Sequence, residues 1–333
     1  MSKVWFLINI CLVFFTCYFV QANQIDASFY YQQLDNRNGL SNSSVNNIFV
    51  DKDQLLCIGT WDGLNRYDGT KISIYNHNIG KVNSSIGSNV IQSINEDNHK
   101  NIWINTIGGI SRYNKITGKV YRYFYPNTVN QKVSENEYEL AVNKNGDVFC
   151  YSADGNLTKY NPKSDKFERY HYFGGKEGIV KMCFSENSLY YLNKNGELVI
   201  ANAFKDKLTI VKKHTSSVGI NNFFLVNNQL IYSLNNDTHF LAGVNNQNLQ
   251  IGISNRKIKA VCYYQNSYVV AWENQGISVF DKNFNQSELL KKESHLLENL
   301  RITALNVTQN KILWLGTDGN GLIQIYPKEN LFG

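Results

Sequence analysis

At 333 residues the chain could hold two average domains, and its 43% hydrophobic and 13% aromatic content is ample for a packed core, which excludes a disordered chain. The net charge is +6, but Lys and Arg are scattered without a run or stripe, so the basic excess reads as a solvated surface and argues against nucleic acid as a partner.

The chain begins unlike the rest. Lys3 precedes an apolar run over residues 4–20, and Val20-Gln-Ala22 follows ahead of Asn23. This fits a secretory signal peptide, residues 1–22, cleaved after Ala22, and implies export of residues 23–333. The competing reading is an uncleaved membrane anchor, since the run approaches spanning length. The small-residue site directly after it favours cleavage. A lipoprotein reading through Cys17 is weaker, because Phe14-Phe-Thr-Cys17 lacks small residues before the cysteine. Loss of Lys3 would leave 32 basic against 27 acidic side chains, a net +5.

A predicted strand at residues 29–34 comes next, then the first repeat unit. Its predicted strands are residues 45–50, 55–58, 64–67 and 72–75, rich in β-branched and aromatic residues and punctuated by Gly, Asn and Asp. The stretch Leu55-Leu-Cys-Ile-Gly-Thr-Trp-Asp-Gly-Leu-Asn-Arg-Tyr-Asp68 recurs as Asn101-Ile-Trp-Ile-Asn-Thr-Ile-Gly-Gly-Ile-Ser-Arg-Tyr-Asn114. It returns at residues 147–160, and last as Lys311-Ile-Leu-Trp-Leu-Gly-Thr-Asp-Gly-Asn-Gly-Leu-Ile-Gln-Ile-Tyr326. Degenerate copies lie around residues 189–202, 230–244 and 267–281.

The markers Tyr67, Tyr113, Tyr160, Ala201, Val244, Phe280 and Ile325 are spaced by 46, 47, 41, 43, 36 and 45 residues. Seven units of this length, each with four short strands, predict an all-β fold: a seven-bladed β-propeller with repeats over about residues 29–326. Between second and third strands sit Asp62-Gly63, Gly108-Gly109, Asp154-Gly155, Asn195-Gly196 and Asp318-Gly319, pairs suited to tight turns. Pro126, Pro162 and Pro327 all follow predicted third or fourth strands, so none interrupts a ladder. The last unit offers three strands, residues 301–307, 312–316 and 322–326. Its missing outer strand is supplied by residues 29–34, which would close the ring and leave no open edge.

Past the leader, the cysteines are Cys57, Cys150, Cys183 and Cys262, in blades one, three, four and six. Exported chains often pair their cysteines. Here Cys150 falls on a second strand and Cys183 on an innermost one, so all four read as buried thiols.

The catalytic search is negative. No His-Glu-x-x-His, Cys-x-x-Cys, Gly-x-Ser-x-Gly or Gly-x-x-x-x-Gly-Lys-Ser/Thr occurs, and the six histidines have no metal-ligand spacing. No catalytic residue, metal or cofactor is expected. Asp62 and Asp318 recur with Gly at one phase of the repeat, which makes them turn formers rather than a carboxylate pair.

The segments Leu40-Ser-Asn-Ser-Ser-Val-Asn-Asn-Ile-Phe-Val-Asp51 and Ile58-Gly-Thr-Trp-Asp-Gly-Leu-Asn-Arg-Tyr-Asp68 resemble the two-component-regulator propeller repeat, found in periplasmic sensor regions of Bacteroidetes hybrid two-component systems. The resemblance is strong in units one, two and seven and eroded in units four to six. It implies a ligand-sensing module for oligosaccharides in signal transduction. It also implies partners in a second propeller or a kinase-bearing polypeptide. This sequence departs from that plan, with one ring and no second apolar span, kinase motif or receiver. The expectation is a truncated or stand-alone sensor that binds rather than catalyses, of undetermined oligomeric state. The alternative is a secreted propeller enzyme acting on polysaccharide, a lyase or a glycosidase, the latter needing two suitably spaced carboxylates. A purely structural or protein-interaction propeller is the third class.

In a propeller the connectors between blades and the turns between second and third strands share one face. Arg37, Asn42, Trp61, Asn89 and Glu273 fall there and are the candidate ligand contacts. Amides exchange hydrogen bonds with sugar hydroxyls, and an indole covers an apolar sugar face. Trp103 and Trp314 occupy second strands and read as core. Trp61 lies in a turn, where packing against the next blade competes with ligand contact.

Overall fold

The computed structural model describes residues 29–78, 80–81, 84–124, 138–173, 178–204, 207–242, 248–251, 256–274 and 276–328. The leader, Pro126, Asn83 and the marker Val244 lie outside them.

Seven antiparallel sheets follow one another along the chain. Blade one is Val45–Val50, Leu56–Thr60, Gly63–Tyr67 and Ile72–Tyr75, and blade two is Ile91–Glu96, Asn101–Thr106, Gly109–Asn114 and Val120–Tyr123. Blades three to five begin with Tyr138–Val142, Ile179–Ser185 and Ile220–Val226 and repeat the four-stranded plan. Blade seven holds Ile302–Val307, Leu313–Thr317 and Leu322–Pro327. The first strands of the blades meet one another around the axis and so form the inner wall.

Phe29–Leu34 pairs with Leu322–Pro327 along its whole length, from Phe29 opposite Pro327 to Leu34 opposite Leu322. The expected N-terminal closure is therefore present. Pro327 ends the ladder instead of following it, which costs little at the terminal residue of a strand. The turn glycines Gly63, Gly108, Gly155, Gly196 and Gly319 all have positive φ, as the paired-turn pattern requires.

Blade six departs from the expected four strands. Among the described residues it has three, Ile258–Tyr264, Ser267–Trp272 and Ile277–Phe280. The stretch after Phe280 makes a Phe280–Gln286 bridge and a Ser287 N–H bond to Val279 O, but no further strand, before the short helix Ser294–Leu297. It lacks the alternating apolar residues that would hold an outer strand in register.

Each of the seven blade interfaces holds one cluster of buried apolar side chains. Cys57 and Leu64 of blade one pack with Ile91, Ile102 and Ile104 of blade two, and Trp314 and Leu322 of blade seven pack with Val45 and Ile58 of blade one. The Gly-Thr of the repeat has a reason in this packing. A Cβ on Gly59 would lie 2.5 Å from Cγ2 of Ile91, and one on Gly316 would lie 2.7 Å from Cγ1 of Val45. The first residue of the next blade occupies the place where a side chain would go. Trp103 and Trp314 are core residues, as their strand positions imply.

Candidate ligand-binding face

Connectors and second-to-third turns do share one face, joined by a repeated bond. In six blades the first turn residue donates its N–H to the carbonyl just ahead of that blade's first strand: Trp61 to Ser44, Ile107 to Val90, Lys194 to Gly178, Asn235 to Gly219, Glu273 to Lys257 and Asp318 to Arg301. Turns also reach the following blade. Gly63 donates to Asn89 at 2.8 Å, Gly276 to Leu300 at 2.9 Å and Gly321 to Ser43 at 2.7 Å. The face is thus a tied rim on which side chains are held in place.

Trp61, Asn42 and Asn89 come together on this rim. The Trp61 backbone is fixed to Ser44, and the residue is 54% exposed. Asn42 accepts from the Ser44 N–H at 2.7 Å. Asn89 accepts from His77 N–H and donates to Asp62 Oδ1 at 2.7 Å, which leaves its amide engaged in holding two blades together. Asp62 therefore bridges blades as well as shaping a turn. Arg37 is exposed and paired with Asp35 at 2.6 Å, and this guanidinium holds the Asp35 carboxyl below the usual carboxylate range. Glu273 belongs to blade six, apart from the other four, and faces Lys257 at 3.6 Å.

The inner strands add a group of residues that sequence reasoning missed. In six blades the register slips by one residue at the start of the first strand, leaving Asn46, Gln92, Val180, Asn221, Lys259 and Thr303 without a partner on the second strand. Such bulges re-aim side chains and gather next to functional sites. Here they lie at the rim end of the inner wall. Asn46 Nδ2 donates to Ile91 O of the next blade at 3.2 Å, and Asn221 Nδ2 to Leu234 O at 2.8 Å. The signal was present in the sequence. Buried residues fall three apart, as in Val45 and Ile48, Ile91 and Ile94, Ile179 and Met182, Ile220 and Phe223, where a regular strand would space them by two. Blade three keeps the spacing of two, Tyr138 and Leu140, and has no slip.

Deeper carboxylates are committed to structure. Asp51 accepts from the N–H groups of Asp53 and Leu55 and pairs with Arg66 and Lys115 at 3.0 and 3.2 Å. Lys115 also meets Glu96 and Asp53, each at 2.6 Å; burial opposes its charge, but these partners raise its pKa. Asp97 accepts from Trp103 Nε1 and from Asn101. Asp51, Glu96 and Asp97 are thus each held by cations or N–H groups. Among the described residues, no cluster of three or more His, Cys, Asp or Glu could hold a metal ion.

Seven blades closed by an N-terminal strand make the chain a seven-bladed β-propeller. It is similar to the extracellular domain of a protein described as a hybrid two-component system from B. thetaiotaomicron, with TM-score 0.68 and 20% identity over 90% of this chain and 42% of that one. It is also similar to the extracellular domain of one described as a one-component system from B. thetaiotaomicron, with TM-score 0.66 and 17% identity over 90% and 42%. Virginiamycin B lyase from Staphylococcus aureus follows the fold too, at TM-score 0.64 and 14% identity over 90% of this chain and 99% of that one. The chain spans about two fifths of the first two structures. At these identities the likeness is one of fold. No family model and no curated protein matches the sequence. No helix among the described residues is long and apolar enough to cross a membrane.

Proposed function

We propose that this propeller is the periplasmic ligand-sensing module of a two-component signalling system and binds oligosaccharide on its connector face. The observation that carries the reading is the presence on that face of an exposed aromatic residue, Trp61, and of amide-bearing residues of the rim and inner wall, Asn42, Asn46, Gln92 and Asn221. Stacking on the indole and exchange of hydrogen bonds with amides are what a sugar requires. The fold likeness to extracellular domains of regulatory systems supports it. Any output would pass through a second propeller or a kinase-bearing polypeptide.

A glycan array followed by calorimetric titration of the best ligand tests this. Trp61→Ala should weaken binding by ~1–2 kcal/mol, about tenfold, and leave the melting curve unchanged. Unchanged affinity would move the site away from Trp61. The second reading, a secreted enzyme acting on polysaccharide, draws on the full-length fold likeness to a lyase. Turnover of a polysaccharide by the purified protein would replace the sensor reading with that one.

A further inference from the structure

A cavity of about 490 Å³ opens on the face opposite the connectors, at the seam where blade seven meets blade one. Its walls include Gln32 of the closing strand, Gln324 opposite it in register, Tyr67 and Asp68 of blade one, and Thr308 and Trp314 of blade seven. We infer that this seam cavity is a second binding site, for a neutral saccharide of one or two rings, separate from the connector face and not dependent on the reading given to that face.

The repeat fails at this place. In blade two, Trp103 Nε1 donates to Asp97, six residues earlier, at 2.8 Å. In blade seven the residue six before Trp314 is Thr308, too short to reach, and its hydroxyl donates to Ile312 O at 3.3 Å instead. Trp314 is 3% exposed, and its Nε1 has no hydrogen-bond partner. A buried donor left unmatched is costly. Blades one to three carry Asp51, Asp97 and Asn143 at this phase, and blade seven replaces that Asp or Asn beside a cavity, where a broken local rule points to function.

The chemistry of the walls selects the ligand. Gln32 and Gln324 present amides with no hydrogen-bond partner among the described residues. The Tyr67 ring stands edge-on to Trp314, centroids 6.2 Å apart, and gives an apolar side. The lining holds no Lys or Arg, and its one acid, Asp68, is held at a pKa of about 2 by the N–H groups of Lys71 and Thr70. A fixed negative charge without a cation repels uronates and sulfated sugars. Volume and mixed lining suit a small polar ligand. A ligand here would bridge the closing strand to blade one and so clamp the ring.

The test is a thermal-shift and calorimetric screen of the secreted protein with maltose, cellobiose, lactose and xylobiose, and with glucuronate as the anionic control. A neutral disaccharide should bind and raise Tm. Affinity should fall about tenfold or more in Gln32→Ala/Gln324→Ala and be untouched by Trp61→Ala. Thr308→Asp, which supplies the missing acceptor, should abolish binding while the folded protein melts higher. Absence of binding by every neutral sugar, equal binding of glucuronate, or binding unaffected by both seam variants would overturn the inference. Loss of all binding with Trp61→Ala alone would assign the sugar to the connector face.

Discussion

Trp103 donates its indole hydrogen to Asp97, and at the same separation in blade seven Trp314 meets Thr308 and donates to nothing. The residue at this phase also organises the turn. Asp51 accepts from the N–H groups of Asp53 and Leu55, Asp97 from those of His99 and Asn101, and Asn143 from that of Asp147. Thr308 keeps the backbone bond to Ile312 but has no carbonyl-type oxygen to offer. Thr308→Asp should therefore stabilise the protein by about 1 kcal/mol, seen as a Tm rise of about 2 °C. Adding Trp314→Phe should remove the part owed to the indole, measured as a double-mutant cycle. A variant no more stable than the parent would show that the blade-seven turn cannot reproduce the geometry of blade two.

The ring is held shut by one strand, and Gly321 is its tightest point. Its φ is +75°, its N–H donates to Ser43 O at 2.7 Å, and a Cβ there would strike the carbonyl oxygen of Leu34. Gly321→Ala should cost about 1–3 kcal/mol, read by urea denaturation. Gly69→Ala is the control, because its φ is also positive but a Cβ there meets nothing within 4 Å. Equal losses in the two variants would mean that backbone strain, not the seam contact, sets the cost.

Strand positions, ring closure and turn glycines were legible in the sequence because each rests on local pattern. Ile323 to Tyr326 alternates, Asp318-Gly319 turns, and both recur at a fixed phase. Blade six was overcounted because a period marks that a unit exists, not that every strand in it forms. The candidate contacts were legible only as places on a face. Trp61 could be put in a turn, but its exposure depends on the neighbouring blade. That Asn89 is spent on His77 and Asp62 is likewise a tertiary fact. The Asp51, Glu96 and Lys115 cluster joins residues of two blades far apart in sequence, which no spacing rule reaches.

The thiols give a chemical check on the register. Cys57, Cys150 and Cys262 are buried and Cys183 partly so, and all four are free. Burial pushes the Cys57, Cys183 and Cys262 thiols up to about 12 and Cys150 higher still. A raised thiol stays protonated in the folded state after the unfolded chain has ionised. Their contribution is thus complete below the unfolded value near 9 and is lost as pH rises toward 12. Native protein should resist iodoacetamide at pH 8, and denatured, unreduced protein should take it up at all four positions. Peptide mapping that recovers a Cys150–Cys183 disulfide would overturn the blade assignment.

Lys181 titrates in the opposite sense. It lies on the inner strand of blade four, donates to Asn222 Oδ1 at 2.7 Å and Phe223 O at 2.6 Å, and sits 4.4 Å above the Phe224 ring. Burial lowers its pKa to about 8 against the pull of Cys183 and Glu139, with a smaller push in the same direction from the Lys259 charge. Below pH 8 the amine is charged in both states and the folded protein bears the desolvation. Between about 8 and the ordinary lysine value of 10.5 the folded state has released the proton and the unfolded chain has not. Stability from this group therefore rises with pH across that window and is level above it. The gain is at most about 3 kcal/mol, less where the channel admits water. Because the thiols act oppositely in the same range, the quantity to measure is the difference between wild type and Lys181→Met in urea denaturation at pH 7, 9 and 10.5. Wild type should gain on the variant as pH rises. A difference that stays flat would show that Lys181 keeps an ordinary pKa and that its ammonium is solvated in the channel.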